Sequence, residues 1–301
     1  MPESINSKNK VRPVFITYPN IYSLLMLNYL IYKRKVKFCG IILSTCHIRM
    51  RNINFSFLES FYILNKRSGL CYALYMFFII KFKYFLIFLW SFSAFLTGKR
   101  LKFRTFKAIS KEQNIPIFKS KNINSQETVD FMKSTGANLI VSAYNNQILR
   151  PRVCRQFTYR GIGIHNSYLP DFGGLDSAFE ALYWGISKTG ATIHYVDKGI
   201  DTGNIIMQER ISLTAKDTLF SLNLRQWLRG ARMLPKVLDA ISQGSVESKK
   251  QDLSLRKYPY VSFPRRKSMK EAMGKGKRLL RFKEIFIPSA YIYGLFHYKR
   301  K

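Results

Sequence analysis

Two histidines and an aspartate near the middle of this 301-residue chain are the residues whose types and spacing could do chemistry. His165 closes the apolar run GIGI, His194 falls in the alternating run ATIHYV, and Asp201 lies in the turn DKGIDTG at residues 197–203. A carboxylate in a glycine-flanked turn can be aimed at an imidazole from another strand end, and α/β sheets collect ligands at the carboxyl ends of their parallel strands. The carboxylate would fix the imidazole's tautomer and raise its basicity, leaving the other ring nitrogen to take or give a proton at a reacting amine or carbonyl. Cys39, Cys46, Cys71 and Cys154 are far apart and form no CxxC pair. They suggest neither a disulfide framework nor a cysteine zinc site, no metal is expected, and a reducing compartment fits.

The elements that must position these residues read as an α/β chain. After a polar leader, residues 13–17 predict a short buried strand, 21–32 a helix with apolar residues every three or four positions, and 36–43 a second strand, which is the opening of a parallel sheet. No GxGxxG joins the first strand to its helix, so a dinucleotide site has no support. Further on, residues 106–114, 125–135, 177–185 and 217–242 predict helices, and 115–118, 138–143, 161–164, 191–196 and 205–211 predict strands. Residues 70–96, LCYALYMFFIIKFKYFLIFLWSFSAFL, are long enough to span a bilayer as one helix. Lys81 and Lys83 near its middle oppose that, and would point about 200° apart on a helix. A helix lying on a membrane, or in a partner's groove, is the expectation, with a span or plain core as alternatives. Basic residues flank the segment on both sides.

The run IGIHNSYLPDFGG, followed by GATIHYVDKGIDTGNIIMQ, resembles the signature of the folate-dependent formyltransferases, a family with branches acting on methionyl-tRNA, glycinamide ribonucleotide and amino sugars. The resemblance covers residues 138–244 well and the first forty only by pattern. It implies a Rossmann-like parallel sheet over residues 1–244, an apolar helical insertion at about 50–105, and a short basic appendage over 245–301. It also implies 10-formyltetrahydrofolate as the formyl donor, with His165 and Asp201 assisting attack of an amine and His194 holding the aspartate turn. Asn146, Gln147, Ile148, Leu149, Asp197 and Asp201 become the candidates for the pterin wall, much of it through backbone. One position departs from the family's N-x-H element: Gly163 stands where an asparagine would donate to the developing oxyanion. Losing such a donor costs about a hundred- to a thousandfold in turnover. Asn145, Asn146 or a water held beside Gly163 are the candidate substitutes.

The acceptor is left between classes. A formal charge of +33, from 50 Lys+Arg against 17 Asp+Glu, suits polyanions, whether RNA phosphates or an anionic membrane. The tail after Gly244 looks too short for a tRNA-holding barrel, and the apolar insertion would place the enzyme where lipid-linked sugars reside. An amino sugar is therefore preferred over aminoacyl-tRNA, and a fold-retaining binding protein without turnover stands as the third reading. With no secretory signal at its start, the chain is expected to be cytoplasmic, peripheral at the inner face of the membrane.

Overall fold

The computed structural model describes residues 10–50, 53–98, 103–258, 260 and 262–286. The leader before residue 10, the basic residues Lys99, Arg100 and Lys102, and the aromatic tail beyond 286 lie outside them. The chain opens with β1 (Pro13–Thr17), α1 (Ile21–Asn28) and β2 (Gly40–Ser44), then a small hairpin of β3 (Ile48–Met50) and β4 (Ile53–Phe55). Three helices follow, α2 (Phe57–Ser68), α3 (Leu70–Lys81) and α4 (Lys83–Leu96), and then α5 (Phe106–Gln113), β5 (Ile117–Ser120), α6 (Gln126–Ser134) and β6 (Leu139–Ala143). A short α7 (Pro151–Cys154) precedes β7 (Gly161–His165), α8 (Ser177–Tyr183), β8 (Lys188–Tyr195), β9 (Ile205–Ser212), the long α9 (Leu219–Ser242), α10 (Arg266–Gly274) and α11 (Phe282–Phe286).

Seven strands form one sheet in the order β5-β2-β1-β6-β7-β8-β9. The first five run parallel, while β8 pairs antiparallel to β7 and β9 antiparallel to β8. Strands β1 and β2 are buried at every position, as apolar runs covered on both faces should be. Asn20 starts α1 through a capping box with Ser23. The helical turn then widens to a π-turn at residues 29–33, and Val36 N–H donates to Leu30 C=O, so the chain is still turning where the sequence pattern predicts strand. That delays β2 to Gly40. On the sheet, α9 packs against β7, β8 and β9, and Gly230 lets it approach: a Cβ there would meet Ile164 Cγ2 at 2.4 Å.

The apolar segment is not one helix. It breaks at Phe82 between Lys81 and Lys83, and α3 and α4 diverge by 70°. Among the described residues no single helix is long and apolar enough to cross a membrane, although this bent pair passes on length and composition. Tyr72, Ala73, Tyr75, Ile79, Leu86, Ile87, Trp90 and Ala94 face inward, whereas Leu74, Phe82, Phe85, Phe88, Phe92 and Phe95 are exposed. Both faces are apolar in composition, and packing uses only one. The segment after Gly244 lies along the body of the molecule: Lys249 bridges to Ile205, α10 packs on α2 and α8, and α11 packs on α4.

Candidate active site

The loops that follow β1, β2, β6 and β7 open at the carboxyl edge of the parallel strands, and the β8–β9 turn brings Asp201 to them. His165 ends β7 and is buried. Its Nε2 bonds to the Phe172 carbonyl at 2.9 Å, which assigns the proton to that nitrogen, and its Nδ1 faces Asp201 Oδ2 at 3.5 Å. His194, in β8, is arranged alike: Nδ1 bonds to the Tyr195 carbonyl at 2.8 Å, and Nε2 faces Asp201 Oδ1 at 3.5 Å. The sequence-predicted trio is thus brought together, with one imidazole at each carboxylate oxygen. The arrangement corrects one expectation. The His165 nitrogen turned away from Asp201 is occupied by a backbone carbonyl, so the nitrogen open to chemistry is the one beside the carboxylate.

Several constraints fix Asp201. Its backbone sits in the left-handed region at φ +54°, a conformation costly for a non-glycine residue unless its surroundings impose it. The Gly174 N–H donates to Oδ2 at 2.8 Å, and the Gln251 amide donates to the Asp201 carbonyl at 2.9 Å and the Gly203 carbonyl at 2.7 Å. Asp197 closes the same turn by accepting from the Gly199 N–H and the Thr202 hydroxyl. Burial pushes the Asp201 carboxyl up, but the His165 charge, the His194 hydrogen bond and charge, and the Gly174 N–H outweigh it and hold it well below the usual carboxylate range.

Gly163 and His194 are cross-strand partners in β7 and β8. A Cβ at 163 would meet His194 Nε2 at 2.8 Å and Cε1 at 3.0 Å. The place that a residue-163 side chain would take is therefore occupied by the His194 ring. The other candidate substitutes are also committed. Asn146 bonds to the carbonyls of Cys46 and His47 and to the Ser44 hydroxyl, and the Asn145 amide nitrogen donates to the Gln147 carbonyl.

These residues line a cavity of about 220 Å³. Asn146, Gln147, Ile148, Leu149, Asp197 and Asp201 are all at its wall, but their side chains differ in use. Gln147 bonds to Ser44 and the Lys121 carbonyl, Leu149 is core, and Ile148 is exposed. Sequence reasoning missed much of the rest. Helices α2 and α3 supply Phe57, Ser60, Phe61, Tyr72, Tyr75, Met76, Phe77 and Ile80, so the apolar insertion is a wall of the cavity. The loop ahead of α8 supplies Asp176, α9 supplies Asn223 and Trp227, and the C-terminal segment supplies Tyr260 and Phe263. Asp176 accepts from the Tyr72 hydroxyl at 2.6 Å, and its carboxyl is pushed up to about 7, chiefly by burial. The acidic residue in GGLDSAF is the one signal that could have drawn attention to this end of the site.

A largely parallel sheet of this kind is the fold of solved formyltransferases. Residues 94–238, just under half of the chain, match the formyl transferase model. The chain is similar to methionyl-tRNA formyltransferase of Fusobacterium nucleatum, 31% identical over 158 residues that make up 52% of this chain and 51% of that protein. The chain spans about half the length of the curated relatives it matches. In fold it is similar to phosphoribosylglycinamide formyltransferase of Anaplasma phagocytophilum, with a TM-score of 0.52 at 18% identity over 84% of this chain and all of that one. It is also similar to WlaRD, a sugar 3N-formyl transferase solved with dTDP and 5-N-formyl-THF, with a TM-score of 0.50 at 16% identity, covering 94% of this chain and 82% of that one.

Proposed function

We propose that this chain transfers a formyl group from 10-formyltetrahydrofolate to an amine, with an amino sugar as the preferred acceptor class. The observation that carries this reading is the convergence of His165 and His194 on the two oxygens of Asp201 at the wall of the cavity. The site also suits a folate. Asn145 Oδ1 is a buried acceptor without a partner at the cavity wall, and a pterin edge offers N–H donors. The loop residues 145–149 and 197–201 would hold it. Bound there, the folate would supply an electrophilic formyl carbon and a nitrogen leaving group.

The residues of the chain have separate tasks in this reaction. Asp201, kept ionised, stabilises positive charge on either imidazole. His165 Nδ1 receives a proton from the attacking amine, which forms the new C–N bond, and that proton returns to the departing nitrogen. The overall change is an amine N–H exchanged for an amine N–CHO. His194, in the space that a residue-163 side chain would fill, holds one proton on Nδ1 against the Tyr195 carbonyl, and as the imidazolium beside Asp201 it would donate from Nε2 to the developing oxyanion, replacing the missing amide.

The names of the relatives keep two acceptors in view, methionyl-tRNA and an amino sugar. The described residues lining the cavity include no Lys or Arg, which favours the smaller, uncharged body. We place the protein in the cytoplasm, peripheral at the inner face of an anionic membrane. The exposed aromatic face of α3 and α4 and the charge of +33 support that position.

The test supplies 10-formyltetrahydrofolate with amino sugars, or with methionyl-tRNA, and follows release of tetrahydrofolate. Release should depend on the amine and fall about a hundredfold or more in His165→Ala. Release that is unchanged in that variant would remove the assigned role, and a preference for methionyl-tRNA would replace the amino-sugar assignment.

A further inference from the structure

The loop between β7 and α8 touches the reacting groups at alternate residues. The Phe172 carbonyl holds His165, the Gly174 N–H holds Asp201, and two residues on, Asp176 turns its carboxyl into the same cavity. Two residues of extended chain span at most about 7 Å, so the Asp176 backbone lies within one small molecule's length of Gly174. The loop is anchored from below, where the Ser177 hydroxyl donates to the Asn166 carbonyl at 3.0 Å.

Asp176 is a buried carboxyl that accepts from the Tyr72 hydroxyl and the Phe179 backbone N–H and has no cationic partner among the described residues. Tyr72, Tyr75 and Tyr144 face it from α3 and the loop after β6, and Glu180 acts on it from α8. None of these brings positive charge. Buried carboxylates are paired with cations or charge-assisted donors, or they give up their charge. Two more buried polar atoms at this wall lack partners, Ser60 Oγ on α2 and Trp227 Nε1 on α9. Together they present one anion, one hydroxyl and one N–H donor among aromatic rings, the complement of an ammonium on a neutral, oxygen-bearing, partly apolar body.

Aromatic contacts continue outward from that wall. Phe57 meets Phe77 at 5.4 Å, Phe77 meets Phe82 at 5.6 Å, and Phe82 meets Phe85 at 6.4 Å, which links the cavity to the exposed face at the α3–α4 bend. An apolar substituent leaving the cavity along this path would stay in contact with aromatic surface. A phosphate would find no Lys or Arg among the described residues lining the cavity.

From this arrangement we infer that Asp176 is the acceptor-recognition carboxyl, binding the ammonium of an amphiphilic amino sugar whose apolar substituent lies along α2 and α3 and whose phosphates, where present, stay outside the cavity. The inference rests on the formyl-transfer reading and narrows its acceptor. Bound in this way, the ammonium gives one proton to the carboxylate, leaving a neutral amine with a lone pair for the formyl carbon and a protonated Asp176. The carboxyl then releases that proton to solvent.

Binding to the full-length protein without folate separates this inference from the transfer itself. The probes are hexyl 2-amino-2-deoxyglucoside and glucosamine 6-phosphate, each titrated calorimetrically. The hexyl glycoside should bind at least tenfold more tightly, and Asp176→Asn, which can still accept from Tyr72, should weaken it about tenfold or more. Its binding should strengthen as pH rises through about 7, where Asp176 ionises, and the Asn variant should lose that rise. Trp227→Phe, a second variant, should weaken the hexyl glycoside while keeping its pH dependence. Tighter binding of the phosphorylated sugar, or unchanged affinity and pH profile in a folded Asp176→Asn protein, would overturn the assignment. Asp176-dependent binding without folate-dependent product would keep Asp176 as an ammonium site but overturn its role in acceptor recognition together with the transferase reading.

Discussion

His194 stands over Gly163 because the two are paired across β7 and β8, and an added side chain at 163 would have to displace the ring. Restoring the family's asparagine is therefore expected to harm rather than help. Gly163→Asn should lose about 1–3 kcal/mol of stability from overpacking and about a hundredfold in tetrahydrofolate release as His194 leaves Asp201. Thermal unfolding and turnover measured together check this, and faster turnover in the variant would show that His194 does not act as the donor. Asp176 gives a second residue-scale prediction. Its folded carboxyl, raised to about 7, keeps a proton that the unfolded chain has already released. Stability should then fall as pH rises from the ordinary carboxylate range to about 7 and level off above it, by up to about 4 kcal/mol. Unfolding midpoints between pH 5 and 8 should show that decline, and Asp176→Asn should flatten it. Equal slopes in the two proteins would mean that Asp176 is ionised throughout.

Helices α3 and α4 show how one apolar sequence can serve two surfaces. Their inner residues join the main core with α9 and α11, and Tyr72 reaches Asp176, so the insertion cannot be detached from the site without opening it. Their outer residues, such as Phe88 at 62% exposed, have no such role inside the chain. Lys81 and Lys83 flank the break, and Lys83 donates to the Ile80 carbonyl at 2.6 Å. Burial and then Lys81 lower Lys83 to about 8. If the outer face meets a bilayer, substituting Phe85, Phe88 and Phe92 together by Ser should cut cosedimentation with phosphatidylglycerol vesicles at least tenfold and leave amine binding intact, with added salt weakening the remainder. Vesicle binding that survives the triple substitution would remove the membrane from this account.

At the scale of the molecule, the C-terminal segment closes the site from behind. Gln251 holds the backbone of the Asp201 turn, Tyr258 stacks on Phe172 at 4.4 Å, and Glu284 accepts from the Thr218 hydroxyl that caps α9. Gln251→Ala should therefore cost about 1–3 kcal/mol and slow turnover, although it lies fifty positions from Asp201. Unfolding and kinetics measured on the same preparation would show whether the strap acts on the turn, and turnover equal to wild type would mean that the turn holds itself. The sequence by itself determined the alternation of strand and helix, the buried runs of β1, β2 and β6, and the His165, His194 and Asp201 trio, because periodicity and short motifs are local properties. It also carried the resemblance that the family match upholds. Only the tertiary structure decided that His194 fills the place beside Gly163, that the long apolar stretch bends at Phe82 and lines the cavity, and that Asp176 meets Tyr72 from 104 positions away. Those outcomes depend on which strands pair and which helix faces find a partner. Pairing and packing are set by competition among all segments for the same core, and no local pattern records its result.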